Sequence, residues 1–81
     1  MTVNVLLFAG AREMAGQSEI QIDLESGATV AHLCDLLKEK YPDMESLMSS
    51  SNWSVDQAYV SLSHELSEGC QVGLIPPVSG G

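Results

Sequence analysis

The sequence is poor in basic residues, and this shortage excludes whole classes of partner. Its 81 residues include 3 Lys and Arg against 11 Asp and Glu, which gives a formal net charge of −8. Phosphate backbones and anionic membrane surfaces repel such a chain, so we expect no nucleic-acid and no membrane partner. A protein partner with a basic docking face is the better match. No apolar run approaches the roughly 18 residues of a membrane span.

Cysteine and histidine are also scarce. The chain has only Cys34, Cys70, His32 and His64, and their spacing matches no metal-ligand pattern, so we expect no metal site. Both histidines are expected to be solvated. We expect Cys34 on the apolar side of a helix and Cys70 as an inert surface or half-buried thiol. With no signal-peptide pattern at Met1, two free thiols in a reduced cytoplasmic setting are expected, although a disulfide stays open.

What the sequence does contain is enough apolar residues for a core. The hydrophobic fraction is 44%, which favours a folded chain over a disordered one. A chain of this length buries only about 60% of its unfolded surface, so its stability must come from one compact core. We expect residues 1–81 to form a single domain in which 76–81 are an extended tail.

The first third of the chain alternates apolar and polar residues with the period of strands. Val3 to Phe8 predicts a strand with Val3, Val5 and Leu7 facing the core. Glu19 to Leu24 predicts a second strand, antiparallel to the first, with Ile20, Ile22 and Leu24 facing inward. The connection from Ala9 to Gln17 is too long for a two-residue hairpin, and it predicts one short helical turn.

A helix is predicted next, capped by Thr29 and stopped by Pro42. Its apolar stripe has helical spacing and comprises Val30, Leu33, Cys34, Leu37 and Tyr41. The segment from Asp43 to Ser54 is rich in serine and predicts a long irregular connection, with a short turn around Glu45 to Met48. Trp53 within that segment is expected to pack at one end of the core.

Two further strands complete the predicted order. Val55 to Leu62 predicts a third strand with Ala58 and Val60 inward and Tyr59 outward, and Gln71 to Ile75 predicts the last, with Ile75 outward. Strand, strand, helix, strand, strand indicates an α+β fold, with a small mixed sheet and one main helix across one face.

Strand parity also predicts an apolar patch. Phe8, Tyr59 and Ile75, together with Leu6, should share the sheet face turned away from the helix. A monomer rarely exposes such a cluster unless a partner docks there. The alternative is that these are scattered surface residues, which is normal for single apolar side chains. We favour a docking surface because the patch would lie beside the chain's last segment.

That last segment is Pro76-Pro77-Val78-Ser79-Gly80-Gly81. Two prolines hold it extended, and its final two residues have no side chain. Six extended residues reach roughly 20 Å, which is enough to enter another protein's active site. The carboxylate of Gly81 would be the reactive group, with Gly80 as a slim spacer. A disordered terminus or an artificial extension is the alternative.

Both ends of the chain carry the motifs of one known family. The carboxyl end reads Glu68-Gly69 and then Val72-Gly73-Leu74-Ile75-Pro76-Pro77-Val78-Ser79-Gly80-Gly81, and the amino end reads Val5-Leu6-Leu7-Phe8-Ala9 with Arg12-Glu13 and Gly16. Over essentially all 81 residues the chain resembles the sulfur carrier (small) subunit of molybdopterin synthase. The resemblance implies a ubiquitin-like β-grasp fold.

The resemblance also implies a carrier cycle and its partners. An E1-like adenylating enzyme would use ATP to adenylate the carboxylate of Gly81, and sulfur transfer would then give a thiocarboxylate. The tail would next enter the large subunit of molybdopterin synthase and donate sulfur to cyclic pyranopterin monophosphate. Complexes in this family are heterotetramers whose active site is on the large subunit. The implied partner-binding residues are Pro76, Pro77, Val78, Ser79 and Gly80, with Ile75, Phe8 and Tyr59 at the docking surface.

Two residues depart from the family pattern. Asp56 stands where Asn is frequent before Gln57, and Cys70 stands where an acidic residue commonly follows the turn glycine. Neither lies in the tail. Two alternatives stay open: a sulfur carrier for thiamin or transfer-RNA thiolation, and a ubiquitin-like modifier joined to lysines of other proteins.

Overall fold

In a computed structural model, which describes residues 1–76, five strands form one mixed sheet in the order β2-β1-β5-β3-β4. The strands are β1 (Thr2–Leu7), β2 (Glu19–Asp23), β3 (Asn52–Val55), β4 (Ala58–Val60) and β5 (Gln71–Ile75). The helices are α1 (Ala9–Ala15), α2 (Val30–Lys40) and α3 (Glu45–Ser49), with a 3-10 turn at Pro42–Met44. The central pair β1 and β5 is parallel, and the other neighbouring pairs are antiparallel.

The alternation in β1 and β2 is confirmed. Val3 pairs with Ile22 and Val5 with Ile20 across the antiparallel ladder. These side chains, with Leu7 and Leu24, are buried in the core. The buried apolar stripe of α2 belongs to the same core, and it comprises Val30, Leu33, Cys34 and Leu37. The predicted α+β arrangement, with one main helix packed on one sheet face, is therefore confirmed.

The predicted cap of α2 is present and is reciprocal. The Thr29 hydroxyl accepts the N–H of His32 at 3.4 Å, and Nδ1 of His32 accepts the N–H of Thr29 at 3.0 Å. His32 is exposed, as predicted, but its ring also satisfies a helix-terminal donor. The helix ends at Lys40, two residues before Pro42, as the sequence predicts.

The predicted short turn after β1 is wrong in extent. Residues Ala9–Ala15 form the helix α1, with Phe8 at its N-cap instead of in the strand. The helix buries Ala11 and ends at Gly16, whose φ of 75° is the left-handed geometry that glycine adopts without steric cost. The connection is therefore a helix of seven residues and not a single turn.

The short turn predicted around Glu45 to Met48 is confirmed as part of α3, but the connection from Asp43 to Ser54 is more regular than predicted. The 3-10 turn and α3 occupy most of it, and they bury Met44 and Met48 in the core. The serines misled the prediction because their hydroxyls satisfy the helix end. Ser49 Oγ donates to the Glu45 carbonyl at 2.9 Å, and Ser51 Oγ donates to the Leu47 carbonyl at 2.7 Å. Trp53 is buried, as expected, but it lies in β3.

The single strand predicted from Val55 to Leu62 is also wrong, because the chain reverses inside it. Asp56 and Gln57 have positive φ values of 48° and 74°, and they form a two-residue turn between β3 and β4. Asn-Gly is the usual signal for this turn, and Asp-Gln is not. Ala58 is predicted to face inward but is exposed on the short edge strand, whereas Val60 packs against the core.

Both cysteines are free thiols, as expected, and both are buried. Cys70 was predicted to be at the surface or half-buried, but it is only 4% exposed. Its carbonyl accepts the N–H of Asn4 at 3.0 Å, which draws this turn residue against β1. Burial raises the pKa of the Cys34 thiol, and Lys38 partly opposes the effect. Between residues 1 and 76, no helix has the length and apolar character that crossing a membrane requires.

Candidate functional site

The sheet face opposite α2 carries a row of side chains across four strands. Leu6 lies beside Gly73 in the parallel pair of β1 and β5. Gly73 lies beside Ser54 of β3, which in turn pairs with Tyr59 of β4. Because residues directly opposite each other in a ladder point to the same face, this register places all four on one surface.

These residues line a cavity of about 320 Å³, here called the open-face groove. Its lining consists of Leu6, Phe8, Ser54, Gln57, Tyr59, Gln71, Gly73 and Ile75. The structure thus brings together Phe8, Tyr59, Ile75 and Leu6, which strand parity predicted to share this face. Phe8 is 43% exposed and Tyr59 is 74% exposed, so the groove presents aromatic surface to solvent.

Phe8 is held at the junction between β1 and α1. Its carbonyl accepts the N–H of Ala11 at 3.1 Å and the N–H of Arg12 at 3.4 Å, which ties its backbone into the first helical turn. Ala9 follows with a φ of 46°, which is an uncommon conformation for a residue with a β-carbon. This sharp change of direction lets the chain leave the strand while Phe8 stays on the open face.

Gly73 forms the floor of the open-face groove. A β-carbon at this position would lie 2.5 Å from Ser54 Oγ and 3.2 Å from Ile75 Cδ1. Both distances are below ordinary van der Waals contact, so the close approach of β5 to Ser54 requires glycine here. The absence of a side chain keeps the groove deep between Leu6 and Tyr59.

Asp56 fixes the turn at the rim of the groove. Its Oδ1 accepts the N–H of Gln71 at 3.0 Å, and its own N–H donates to the Gln71 carbonyl at 2.8 Å. These two bonds join the β3–β4 turn to the first residue of β5. The left-handed conformation of Gln57 is thereby held at the groove edge. Asp56, a departure from the family pattern, thus has a structural role.

The open-face groove is uncharged in a strongly acidic protein. None of its eight lining residues carries a charge at neutral pH, although the chain has 11 Asp and Glu. Its polar groups are one hydroxyl, two amides and a phenol, none of them arranged as an acid, a base or an activated nucleophile. Within residues 1–76, no group of three His, Cys, Asp or Glu side chains is placed to hold a metal ion.

The root of the tail leaves beside this groove. Ile75 ends β5 in the groove lining, and Pro76 follows it, both half-buried. The other predicted tail residues lie outside the described residues: Pro77, Val78, Ser79, Gly80 and Gly81.

Four lining residues were missed by the sequence analysis. Gln71 and Gly73 have the parity of Ile75 on the same strand, so strand alternation was enough to find them. Ser54 and Gln57 required the β3–β4 turn, which the sequence analysis placed inside a strand.

Comparison with known proteins gives a match over nearly the whole chain. The family described as the ThiS family matches residues 5–81. A protein of Chlamydomonas reinhardtii named molybdopterin synthase sulfur carrier subunit is 35% identical, and the alignment covers 100% of both chains. A protein of the same name from Arabidopsis thaliana is 33% identical over 98% of this chain and 82% of its own.

The fold is shared with a solved structure as well. The small archaeal modifier protein SAMP1 from Haloferax volcanii superposes with a TM-score of 0.89 and 28% sequence identity, and the alignment covers 100% of both chains. Together with the sheet order and the helix across one face, this agreement confirms the ubiquitin-like β-grasp fold that the sequence predicts.

Proposed function

The chain belongs to the ThiS family, and on that basis we propose that it is the sulfur carrier subunit of molybdopterin synthase. The observation that carries the proposal is the position of the uncharged open-face groove at the root of a tail that ends in Gly80-Gly81. The names of the full-length relatives support the same pathway.

The first proposed step activates the terminal carboxylate. An oxygen of the Gly81 carboxylate attacks the α-phosphate of ATP on an E1-like adenylating enzyme, forming an acyl-adenylate and releasing pyrophosphate. A carboxylate oxygen is a poor leaving group and AMP is a better one, so the adenylate is open to attack by sulfur. Hydrosulfide released by a sulfur donor then attacks the acyl carbon, expels AMP and loses its proton to solvent, which leaves a thiocarboxylate on Gly81. This chain supplies no acid, base or nucleophilic side chain to the reaction.

The second proposed step delivers the sulfur. The tail enters the large subunit of molybdopterin synthase, where the thiocarboxylate sulfur bonds to a carbon of cyclic pyranopterin monophosphate as a carbon–oxygen bond of that substrate breaks. Water then hydrolyses the resulting thioester and leaves the sulfur on the substrate. Two such transfers supply the dithiolene of molybdopterin, and each returns a carboxylate on Gly81. Tethering raises the effective concentration of a reactive sulfur that would otherwise diffuse. The working complex is a heterotetramer of two carriers and two large subunits.

The open-face groove is the proposed docking surface for the proteins whose active sites the tail enters. We propose that Phe8, Tyr59 and Ile75 dock on the adenylating enzyme and on the large subunit in turn. Tyrosine side chains are among the residues that are enriched at binding hot spots. Because Ile75 and Pro76 join the groove directly to the tail, docking would fix where the tail begins. One surface would then serve both partners while the chain's end reaches their active sites.

Deletion of Gly81 tests the proposal. We expect loss of sulfur transfer in a reconstituted synthase assay, and the same loss when one residue is added after Gly81. The unfolding free energy should stay within about 0.5 kcal/mol of the parent value, since the buried core of the described residues lies between Val3 and Leu74. Full activity of either variant would contradict the terminal-carboxylate mechanism. A control is Ser67→Ala, a change at an exposed residue outside the open-face groove, which should keep full activity.

A second candidate is a ubiquitin-like modifier, which the agreement with a protein named as an archaeal modifier supports. This function would use the same activated Gly81 but attach it to lysines of other proteins. Higher-mass conjugates that contain this chain, formed in cell extract with ATP, would support it. Free carrier as the only product would favour the synthase role.

A further inference from the structure

A second surface lies at the free edge of the sheet, on the helix side and away from the open-face groove. Among the strands of residues 1–76, β2 is outermost and pairs only with β1. Leu24 and Met1 exchange hydrogen bonds of 2.7 Å, and the Leu7 N–H donates to the Ser18 carbonyl at 2.8 Å. Because antiparallel pairs alternate between bonded and non-bonded, Ile20 and Ile22 direct their backbone groups toward β1.

The intervening residues consequently face outward. Glu19, Gln21 and Asp23 turn their N–H and C=O groups to the free edge, where no other strand of residues 1–76 pairs with them. Such a row is a template for an added strand. At five residues, β2 is longer than β4, the three-residue strand at the opposite edge.

An apolar depression runs beside this edge, between β2 and α2. Two adjoining cavities of about 680 Å³ and about 420 Å³ share Asp23 and Leu36. We call this surface the edge groove, and it is represented by Ile22, Asp23, Glu25, Asp35, Leu36 and Glu39. Leu36 is 37% exposed, in contrast to Leu33 and Leu37 of the same helix, which are fully buried. It gives the groove an apolar contact point.

The charged side chains that line the edge groove indicate which kind of segment can bind there. The carboxylates of Glu25, Asp35 and Glu39 line the groove with Leu36, and the cationic side chain in the lining is Lys40 at one end. Asp23 Oδ1 accepts the Thr2 hydroxyl at 2.7 Å, which holds that carboxylate at the edge but on the opposite face of the sheet. His32 lines the other end with its Nδ1 already bonded to Thr29. A second copy paired edge to edge would set Glu19 and Asp23 against the same carboxylates, so like charges oppose self-association.

We propose that the edge groove is a β-strand addition site for an extended, basic segment of another protein. The segment would hydrogen-bond to the outward backbone groups of Gln21 and Asp23 and place an apolar side chain against Leu36. Flanking Lys or Arg side chains would face Glu25, Asp35 and Glu39. Backbone pairing supplies affinity in this mode, and the side-chain contacts supply specificity.

The edge groove and the open-face groove can be occupied together. Two strands, β1 and β2, lie between the free edge and β5, and the two grooves open on opposite sides of the sheet. A basic segment at β2 would leave Phe8, Tyr59 and the tail root uncovered. The site therefore allows a third protein to bind while the carrier is docked on an enzyme.

The test uses the full chain and a synthetic peptide in which Val-Ile-Val is flanked by two lysines on each side. In a nuclear magnetic resonance titration, we expect shifts at Gln21, Asp23 and Leu36. At saturation, hydrogen exchange of the Gln21 and Asp23 amides should slow by at least about tenfold. A matched peptide with glutamate in place of lysine should not bind. Binding of the lysine peptide should be weaker in about 0.5 M salt than in a buffer with about ten times less salt, because salt screens the charge attraction.

Two variants separate this site from the rest of the surface. Leu36→Lys should weaken peptide binding at least about tenfold by removing the apolar contact and adding like charge. The control Leu62→Lys makes the same change at another exposed leucine and should bind normally. Gln21→Pro removes an outward N–H that the β1 ladder does not use, so it should weaken binding while the fold is kept.

Three results would overturn the inference. The first is shifts centred on Phe8 and Tyr59 with unchanged exchange at Gln21. The second is equal binding of the lysine and glutamate peptides. The third is a concentration-dependent dimer that Leu36→Lys abolishes, which would assign the edge to a second copy. The titration involves no sulfur transfer, so its outcome is independent of the proposed carrier function.

Discussion

Truncation of Tyr59 should separate docking from folding. The side chain is 74% exposed on β4, so Tyr59→Ala removes little that the free protein has buried. It loses the cross-strand contact with Ser54, worth about 0.2–1 kcal/mol. We therefore expect the urea unfolding free energy to fall by no more than about 1 kcal/mol.

The loss of affinity should be larger. A tyrosine presents about 200 Å² of surface. If docking covers half of the part now exposed, about 75 Å² leaves water, which corresponds to about 2 kcal/mol at about 25 cal/mol per Å². Binding to the large subunit of molybdopterin synthase should then weaken about 30-fold. Isothermal titration calorimetry with matched urea unfolding curves measures both quantities.

The matched control is Leu62→Ala. Leu62 is 50% exposed, and its carbonyl accepts the N–H of Ala31 at the start of α2, outside the open-face groove. This variant should bind within about twofold of the parent, well below the tenfold that corresponds to 1.4 kcal/mol. Equal affinities for Tyr59→Ala, Leu62→Ala and the parent would refute the assignment of the groove as the docking surface.

Two further predictions concern the groove floor and the core. Gly73→Ala should lower the unfolding free energy by about 1–3 kcal/mol through overlap with Ser54 Oγ. In a Ser54→Ala background the cost should shrink, and an unchanged cost in this double-mutant cycle would remove the proposed overlap. Burial raises the pKa of Cys34 above its ordinary value of 9.0, so its contribution to stability is complete below that pH and is lost as pH rises through the folded pKa. The unfolding free energy of Cys34→Ala, from urea titrations at pH 8 and pH 10, should accordingly fall less between these pH values than that of the parent. Equal falls in the two proteins would contradict a cost of burying the ionised thiol.

Regular periodicity made much of the fold predictable. The strict alternation of Ile20, Ile22 and Leu24 fixed both the strand and its buried face, because a shift of one residue would expose all three. Thr29 and Pro42 bracketed α2, since each acts through local geometry. The same alternation on β1 and β5 assigned Phe8 and Ile75 to one face.

The wrong predictions fall where side-chain hydrogen bonds or close contacts, and not hydrophobic periodicity or glycine turn signals, determine the structure. Asp56 and Gln57 carry no glycine signal, and their left-handed turn is held by the bonds of Asp56 to Gln71, which is 15 residues away in the chain. Ser49 and Ser51 read as loop residues, yet their hydroxyls bond to carbonyls four residues earlier. The role of Gly73 at the groove floor follows only from the register of β5 on β3, which places it beside Ser54. The Asp56–Gln71 bonds and the Gly73–Ser54 approach are tertiary contacts, so the local sequence does not encode them.

The most direct test of the sulfur carrier role is the intact mass of the chain after incubation with the adenylating enzyme, ATP and a sulfur source. Exchange of one oxygen for sulfur at Gly81 predicts a gain of about 16 mass units. The gain should be absent without ATP and absent in the chain that lacks Gly81. An unchanged mass would contradict the sulfur carrier role, provided that the same enzyme, ATP and sulfur donor convert a known carrier.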